Sequence, residues 1–130
     1  MKDILDFLKE AEVFFLATTE GTQPRVRPMG FFMEYKGKLC FSTNNTKPMF
    51  AQMKANPNIE ICAYSGGKWL RVAGKIAFNT EREARVAALE AMPSLGKMYN
   101  PDDGKFEIFH FESATAHFSD MQGNNREVKF

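Results

Sequence analysis

The stretch Phe41-Ser-Thr-Asn-Asn-Thr-Lys-Pro-Met-Phe-Ala-Gln-Met-Lys-Ala-Asn56, running into Pro57, passes from strand to helix through a polar turn. Leu39 to Thr43 has the composition of a buried strand end, closing on hydroxyls. Asn44, Asn45 and Thr46 are turn residues, and Lys47 is a single cation before the helix. Pro48 suits the first helical turn, where its missing N–H is no loss, and Thr46 is placed as the N-cap. Met49, Phe50 and Met53 share one apolar helical face, and Asn56-Pro57 stops the helix. A strand that ends in hydroxyls, an amide and a lysine at a helix N-terminus forms an anion cradle, suited to a phosphate. The same residues also serve a plainer arrangement, with Thr46 as a cap only and Lys47 solvated.

Upstream, residues 3 to 11 predict a short helix, with Asp3 as its cap and Ile4, Leu5, Leu8 and Ala11 as an apolar stripe. Phe14 to Thr18 is a short buried strand, Glu20-Gly21 a hairpin turn, and Gln23 to Phe32 the return strand. Arg25 and Arg27 share one face of it, with Val26 on the other. Pro28 cannot donate to a ladder, which places this strand at an edge or a bulge. Tyr35-Lys36-Gly37-Lys38 then turns the chain into the strand at Leu39.

Downstream, Ile59 to Tyr64 is a strand and Ser65-Gly66-Gly67-Lys68 a tight turn. Trp69 to Asn79 follows as a long strand, with Trp69, Arg71 and Ala73 on one face and Leu70, Val72 and Gly74 on the other. Gly74 within a strand signals a bulge, or a close approach by another chain or a ligand. Thr80-Glu-Arg-Glu83 reads as a capping box opening a helix that carries Ala84, Ala87, Ala88 and Ala91, with Pro93 ending it. Residues 94 to 104 form a loop with a helical turn near Leu95 to Tyr99, closed by Asp102-Asp103-Gly104. Phe106 to Ser119 is an aromatic-rich strand or pair of strands. Residues 123–130 are polar and are expected to be a loose tail. About six or seven hairpin-linked strands with peripheral helices predict a mainly β protein, an antiparallel barrel decorated with helices.

A length of 130 residues fits a single domain, 1–130, that buries roughly two-thirds of its unfolded surface. Hydrophobic content of 44% with 13 Phe supplies its core. A net charge of +1 gives no electrostatic drive toward nucleic acid or an anionic membrane. No apolar run reaches the ~18 residues of a membrane span, and the N-terminus is amphipathic rather than signal-like. Cys40 and Cys62 lie in predicted strands with no CxxC pairing, as buried free thiols of a cytoplasmic protein would. No internal repeat or linker is present.

Several catalytic signatures are missing: G-x-S-x-G, H-E-x-x-H, a Walker loop and G-x-G-x-x-G. His110 and His117 have an odd spacing on a predicted strand, which puts them on opposite faces and makes no metal pair. Asp102-Asp103-Gly104 is a turn sequence, and Cys40 has no neighbouring cation to activate it. A chain with no catalytic machinery of its own suits a protein whose cofactor carries the reaction.

The ordered set Phe14-Phe-Leu-Ala-Thr18, Arg25-Val-Arg-Pro-Met29, Leu39-Cys-Phe-Ser-Thr-Asn44, Thr46-Lys47, Asn56-Pro-Asn58 and Trp69-Leu-Arg-Val-Ala-Gly74 resembles the pyridoxamine 5′-phosphate oxidase-related, FMN-binding split-barrel family. It resembles most the small single-domain bacterial members, over about residues 5 to 118. The resemblance implies an antiparallel split β-barrel and a homodimer with FMN at the subunit interface. It implies that Arg27 reaches the FMN phosphate and that the backbone of Pro28, Met29 and Gly30 faces the flavin. Ser42, Thr43 and Asn44 would lie beside the ribityl chain and phosphate, with Thr46 and Lys47 as the phosphate pair. Trp69 would contact the ring, or otherwise simply pack in the core or an interface.

Two departures qualify the implied activity. The oxidase carries a Ser-Arg-Lys cluster where this chain has Thr46-Lys47-Pro48, one cation fewer, to be compensated by Arg25 or a cation of a partner chain. The chain also lacks an extended segment after residue 120 that helps hold pyridoxal phosphate, so vitamin B6 oxidation is not expected. The implied function is an FMN-dependent oxidoreductase acting on a small molecule, with NADH or NADPH as a candidate donor. The alternatives are a non-catalytic flavin or haem binder, a store or sensor, and a deazaflavin protein. A deazaflavin's longer acidic tail would require more cations than this groove offers.

Overall fold

Inward-facing apolar residues alternate with outward polar ones along most strands, and the hydrogen-bonded ladder follows that alternation. The computed structural model describes residues 1–130. Its strands are β1 (Phe14–Glu20), β2 (Gln23–Met29), β3 (Met33–Tyr35), β4 (Lys38–Asn44), β5 (Asn58–Ser65), β6 (Lys68–Asn79), β7 (Phe106–Asp120) and β8 (Asn125–Lys129). Every pairing is antiparallel, in the order β2-β1-β5-β6-β7-β4-β3 with β8 also on β7. The fold is an antiparallel split β-barrel with peripheral helices.

Two cores flank the sheet. In the larger one, Phe41 lies 5.5 Å from Phe14, 5.4 Å from Phe109 and 5.8 Å from Phe111, ring centre to ring centre. Helix α1 (Lys2–Ala11) closes it with Ile4 and Leu8, and α2 (Pro48–Ala55) with Met49 and Met53. The smaller core lies under α3 (Arg82–Ala91), where Ala84 and Ala88 meet Phe31, Cys40, Phe106 and Ile108. The small alanines let the helix sit close on the sheet. No helix is long and apolar enough to cross a membrane.

Strand β7 serves both cores by alternation, Phe106 and Ile108 on one face and Phe109 and Phe111 on the other, and one extra residue then changes which positions face the larger core. Lys75 pairs with Ser113 but Ile76 pairs with Phe111, which leaves Glu112 with no opposite residue. Phe109 and Phe111 face the larger core before this bulge, and Ala114 and Ala116 face it after. The parity change corrects the expected placement of the histidines: His110 and His117 share the face turned away from that core. Gly74 sits beside the bulge. A Cβ there would lie 2.1 Å from the Ser113 carbonyl oxygen and 2.7 Å from Ala114 Cα. The close approach expected at Gly74 therefore comes from β7 of the same chain.

Three local expectations are also corrected. The tail expected to be loose forms β8, with Val128 opposite Ala116, while Phe130 exchanges two backbone hydrogen bonds with Ala114. Its turn is closed by the Asp120 carboxylate, which accepts from the Gln122 and Asn124 N–H groups, and Val128 and Phe130 pack on the core. Two apolar residues at strand spacing suffice once a ladder edge is available. The capping box at Thr80–Glu83 does not form: Asn79 Oδ1 accepts the Glu81 N–H, and α3 begins at Arg82 without a side-chain cap. The strand expected from Gln23 to Phe32 ends at Met29, with β3 as a separate element.

Candidate functional site

Strand β4 delivers its last residues to the N-terminus of α2, and the turn between them is built by Asn44. Asn44 Oδ1 accepts from the Thr46 N–H at 2.9 Å and from the Thr46 hydroxyl at 2.8 Å. Thr46 is thus turned back to Asn44 and does not cap α2, contrary to expectation. The N-cap is Lys47, whose side chain carries no acceptor, and no side chain caps the helix. Pro48 carries no N–H and the Phe50 N–H donates to the Lys47 carbonyl at 3.1 Å, so within the first turn the Met49 N–H is the group open to an anion. Asn45 fastens the turn to the start of β7 through Lys105 O at 3.0 Å and Gly104 O at 2.8 Å.

Thr43, just before this turn, is only 3% exposed, and its hydroxyl has no hydrogen-bond partner. A buried unpaired hydroxyl costs about 1–3 kcal/mol, a cost a ligand oxygen would remove. Ser42 points to the opposite side of β4 from Thr43, and Lys47 is exposed. The orphaned hydroxyl, the uncapped helix and the exposed ammonium together suit a phosphate monoester.

Arg27 meets α2 through Gln52. Its Nη1 donates to Leu16 O at 3.0 Å and to Thr18 Oγ1 at 2.9 Å, and its Nη2 donates to Gln52 Oε1 at 3.0 Å. Gln52 stands one helical turn after Pro48, its Cα roughly 6 Å further along the axis. Burial lowers the Arg27 pKa from its ordinary value, and it stays charged at any physiological pH. Arg25 instead pairs with Glu20 at 2.9 Å at the surface. Sequence alone did not single out Gln52 or Thr18. The available signal was a polar residue between Met49 and Met53 on the apolar face of α2.

The remaining expected residues lie elsewhere on the sheet. Pro28 and Met29 end β2, an edge strand with one line of backbone groups outside any ladder, and Gly30 follows it exposed. Trp69 is half-buried on the outer face, opposite Tyr64 and Ser119, and so is separated by the sheet from Thr43 and α2. Next to it runs an outer row of Pro28, Phe15, Cys62, Arg71, His117 and Glu127. Arg71 stands 4.0 Å from Glu60, and His117 3.7 Å from Glu127. Phe15, Val26 and Tyr64 are large exposed apolar residues of this face. One chain therefore brings Arg27, Thr43, Thr46 and Lys47 around α2 but leaves Trp69 apart.

Titratable groups outside this cluster do not form a catalytic centre. Burial, then the Lys38 charge, lowers the His110 pKa, so the imidazole is neutral at pH 7. Burial pushes the Cys40 thiol up to about 11. No three His, Cys, Asp or Glu side chains converge as a metal site. An open concavity of about 400 Å³ between α1 and β8 has Phe7 and Phe118 in its lining, but its carboxylates already have partners: Asp3 with Arg126, Asp6 with Lys2, Glu10 with Ser65, Asp120 with Asn124. A disulfide-exchange reagent at pH 7 is expected to titrate at most one thiol in the native protein, and both in denaturant. Rapid native reaction of Cys40, tested in Cys62→Ser, would contradict its burial.

Comparison with known proteins places these features in context. Residues 1–120 match the family model for pyridoxamine 5′-phosphate oxidase. A NimC/NimA family protein from Clostridium acetobutylicum is 45% identical, with a TM-score of 0.96, covering 100% of this chain and 92% of that one. A pyridoxamine 5′-phosphate oxidase-related, FMN-binding protein from Nostoc punctiforme is similar at 16% identity and a TM-score of 0.67, covering 99% of this chain and 95% of that one. A haem-binding protein from Mycobacterium smegmatis is similar at 16% identity and a TM-score of 0.74, covering 94% of this chain and 54% of that one. The last two likenesses concern the fold alone. No curated protein sequence matches the chain.

Proposed function

Because this chain belongs to the pyridoxamine 5′-phosphate oxidase family, we propose that it is an FMN-dependent oxidoreductase of cytoplasmic location acting on a small molecule, with NADH or NADPH as donor. The observation that carries this reading is the buried, unpartnered Thr43 hydroxyl beside the uncapped N-terminus of α2. When bound, FMN supplies hydride transfer at its N5 atom. Thr43, Lys47 and the first turn of α2 would hold its phosphate, with Arg27, held at Gln52 of the same helix, adding a second cation. Thr46 acts through the turn it makes with Asn44, and Ser42 and Asn44 flank the ribityl chain. The free backbone edge at Pro28, Met29 and Gly30 faces the flavin ring and orients it.

A ring contact by Trp69, on the outer face of the sheet, requires a second copy of the chain, in keeping with a homodimer packed through that face. The exposed apolar side chains of Phe15, Val26 and Tyr64 fit that role. Phe15→Glu is expected to shift the protein from dimer to monomer in light scattering coupled to size-exclusion chromatography. An unchanged dimer would place the interface elsewhere.

The test of the function is the absorbance of the purified protein after incubation with excess FMN and desalting. Flavin bands in stoichiometric amount support the reading and justify a turnover assay with NADH and NADPH. A Soret band after incubation with haem, without flavin retention, would favour a haem-binding protein. Protein that retains neither cofactor would overturn the oxidoreductase reading.

A further inference from the structure

We propose that Gln52 and Thr18 are positioning residues that spend one N–H fork of Arg27 on the protein and leave the other for a phosphate, so that the site selects phosphorylated over unphosphorylated flavin. This rests on the FMN reading above. Gln52 is 6% exposed and Thr18 2%, both among the few buried polar side chains of the chain. The Thr18 hydroxyl donates to Gln52 Oε1 at 2.6 Å and accepts from Arg27 Nη1 at 2.9 Å. Gln52 Oε1 also accepts from Arg27 Nη2 at 3.0 Å, while Gln52 Nε2 faces Glu20 at 3.4 Å. The polarity of the network is thereby fixed: the amide oxygen of Gln52 must face Arg27.

A guanidinium has five N–H donors. Both on Nη1 are used, by Leu16 O and Thr18 Oγ1, and one on Nη2 is used by Gln52. Nε makes no hydrogen bond to the protein. The Nε–H and the second Nη2–H form the side-on fork, the geometry that receives two oxygens of one phosphate. Gln52 and Thr18 are uncharged, so they fix the guanidinium without neutralising it. A carboxylate in place of Gln52 would have consumed the charge. The side chain that anchors the fork also belongs to α2, the helix whose N-terminus carries the Thr43–Lys47 turn proposed to hold the phosphate.

The experiment compares FMN and riboflavin affinities, by flavin fluorescence quenching, for the wild type, Gln52→Leu and Thr18→Val. The wild type is expected to prefer FMN. Each variant is expected to lose about tenfold or more in FMN affinity with riboflavin affinity nearly unchanged, because only the phosphate contact is disoriented. A role confined to packing would lower both affinities together. Equal losses, or none, would overturn the positioning role while leaving the FMN reading intact; a wild type that binds no FMN would overturn both. Thr18→Val preserves volume, so it reads the same ratio if Gln52→Leu fails to fold.

Discussion

Gly74→Ala is expected to lower stability by about 3 kcal/mol or more, and to leave much of the protein unfolded on expression. The added Cβ would sit 2.1 Å from the carbonyl oxygen of Ser113 and 2.8 Å from the Ala114 Cβ. These are backbone and near-backbone atoms with no rotamer to change. Relief requires β6 and β7 to separate, yet β6 is held by β5 on its other side and β7 by β8. The hydrogen bonds around the bulge would be lost together. Gly96→Ala is the control, since a Cβ there meets nothing within 4 Å and φ is not in the left-handed region. It should be neutral or slightly stabilising. A thermal melt of Gly74→Ala within a few degrees of the wild type would show that the two strands are less rigidly apposed than the geometry implies.

Arg27→Ala combined with Lys47→Ala is expected to weaken FMN binding about a hundredfold or more while the fold is kept, since each charged hydrogen bond contributes about 1.5–3 kcal/mol. Lys47 is exposed and Arg27 only part-buried, so the core loses little. The pH dependence gives a second signature. A phosphate monoester has its second pKa near ~6, so wild-type affinity should fall as the dianion gains a proton below that pH. The double variant should show a flatter profile, because the cations that prefer the dianion are gone. Normal FMN retention by the double variant would move the phosphate away from α2.

The sheet was legible where side chains alternate cleanly. The Leu70-Val72 alternation, the two arginines on one face of β2 and the edge position implied by Pro28 all appear in the register. The resemblance of the ordered motifs corresponds to the family match over residues 1–120. What the sequence concealed depended on partners distant along the chain. Val128 and Phe130 acquire meaning only against Ala116 and Ala114, which no local pattern reveals. The faces of His110 and His117 depend on Glu112 being unopposed, a property of two strands rather than one. Thr46 and Thr80 read as caps in sequence because hydroxyls before helices commonly cap. Here Asn44 and Asn79, each with a better-placed oxygen, organise the turns that lead into α2 and α3. Gln52 was hidden for the converse reason, since its partners Thr18 and Arg27 lie on two other elements.

The pairing of β4 with β7 has a bearing on biosynthesis. The register runs from Cys40 opposite His110 to Asn44 opposite Phe106, and Asn45 is tied to Gly104 and Lys105. During translation the residues of the proposed phosphate cradle leave the ribosome well before β7, the strand that fixes them. Closure across so long an intervening segment is intrinsically slow. The nascent chain therefore has no rigid turn at Asn44–Lys47 until β7 has emerged to hold it, and the cofactor site proposed above forms only then.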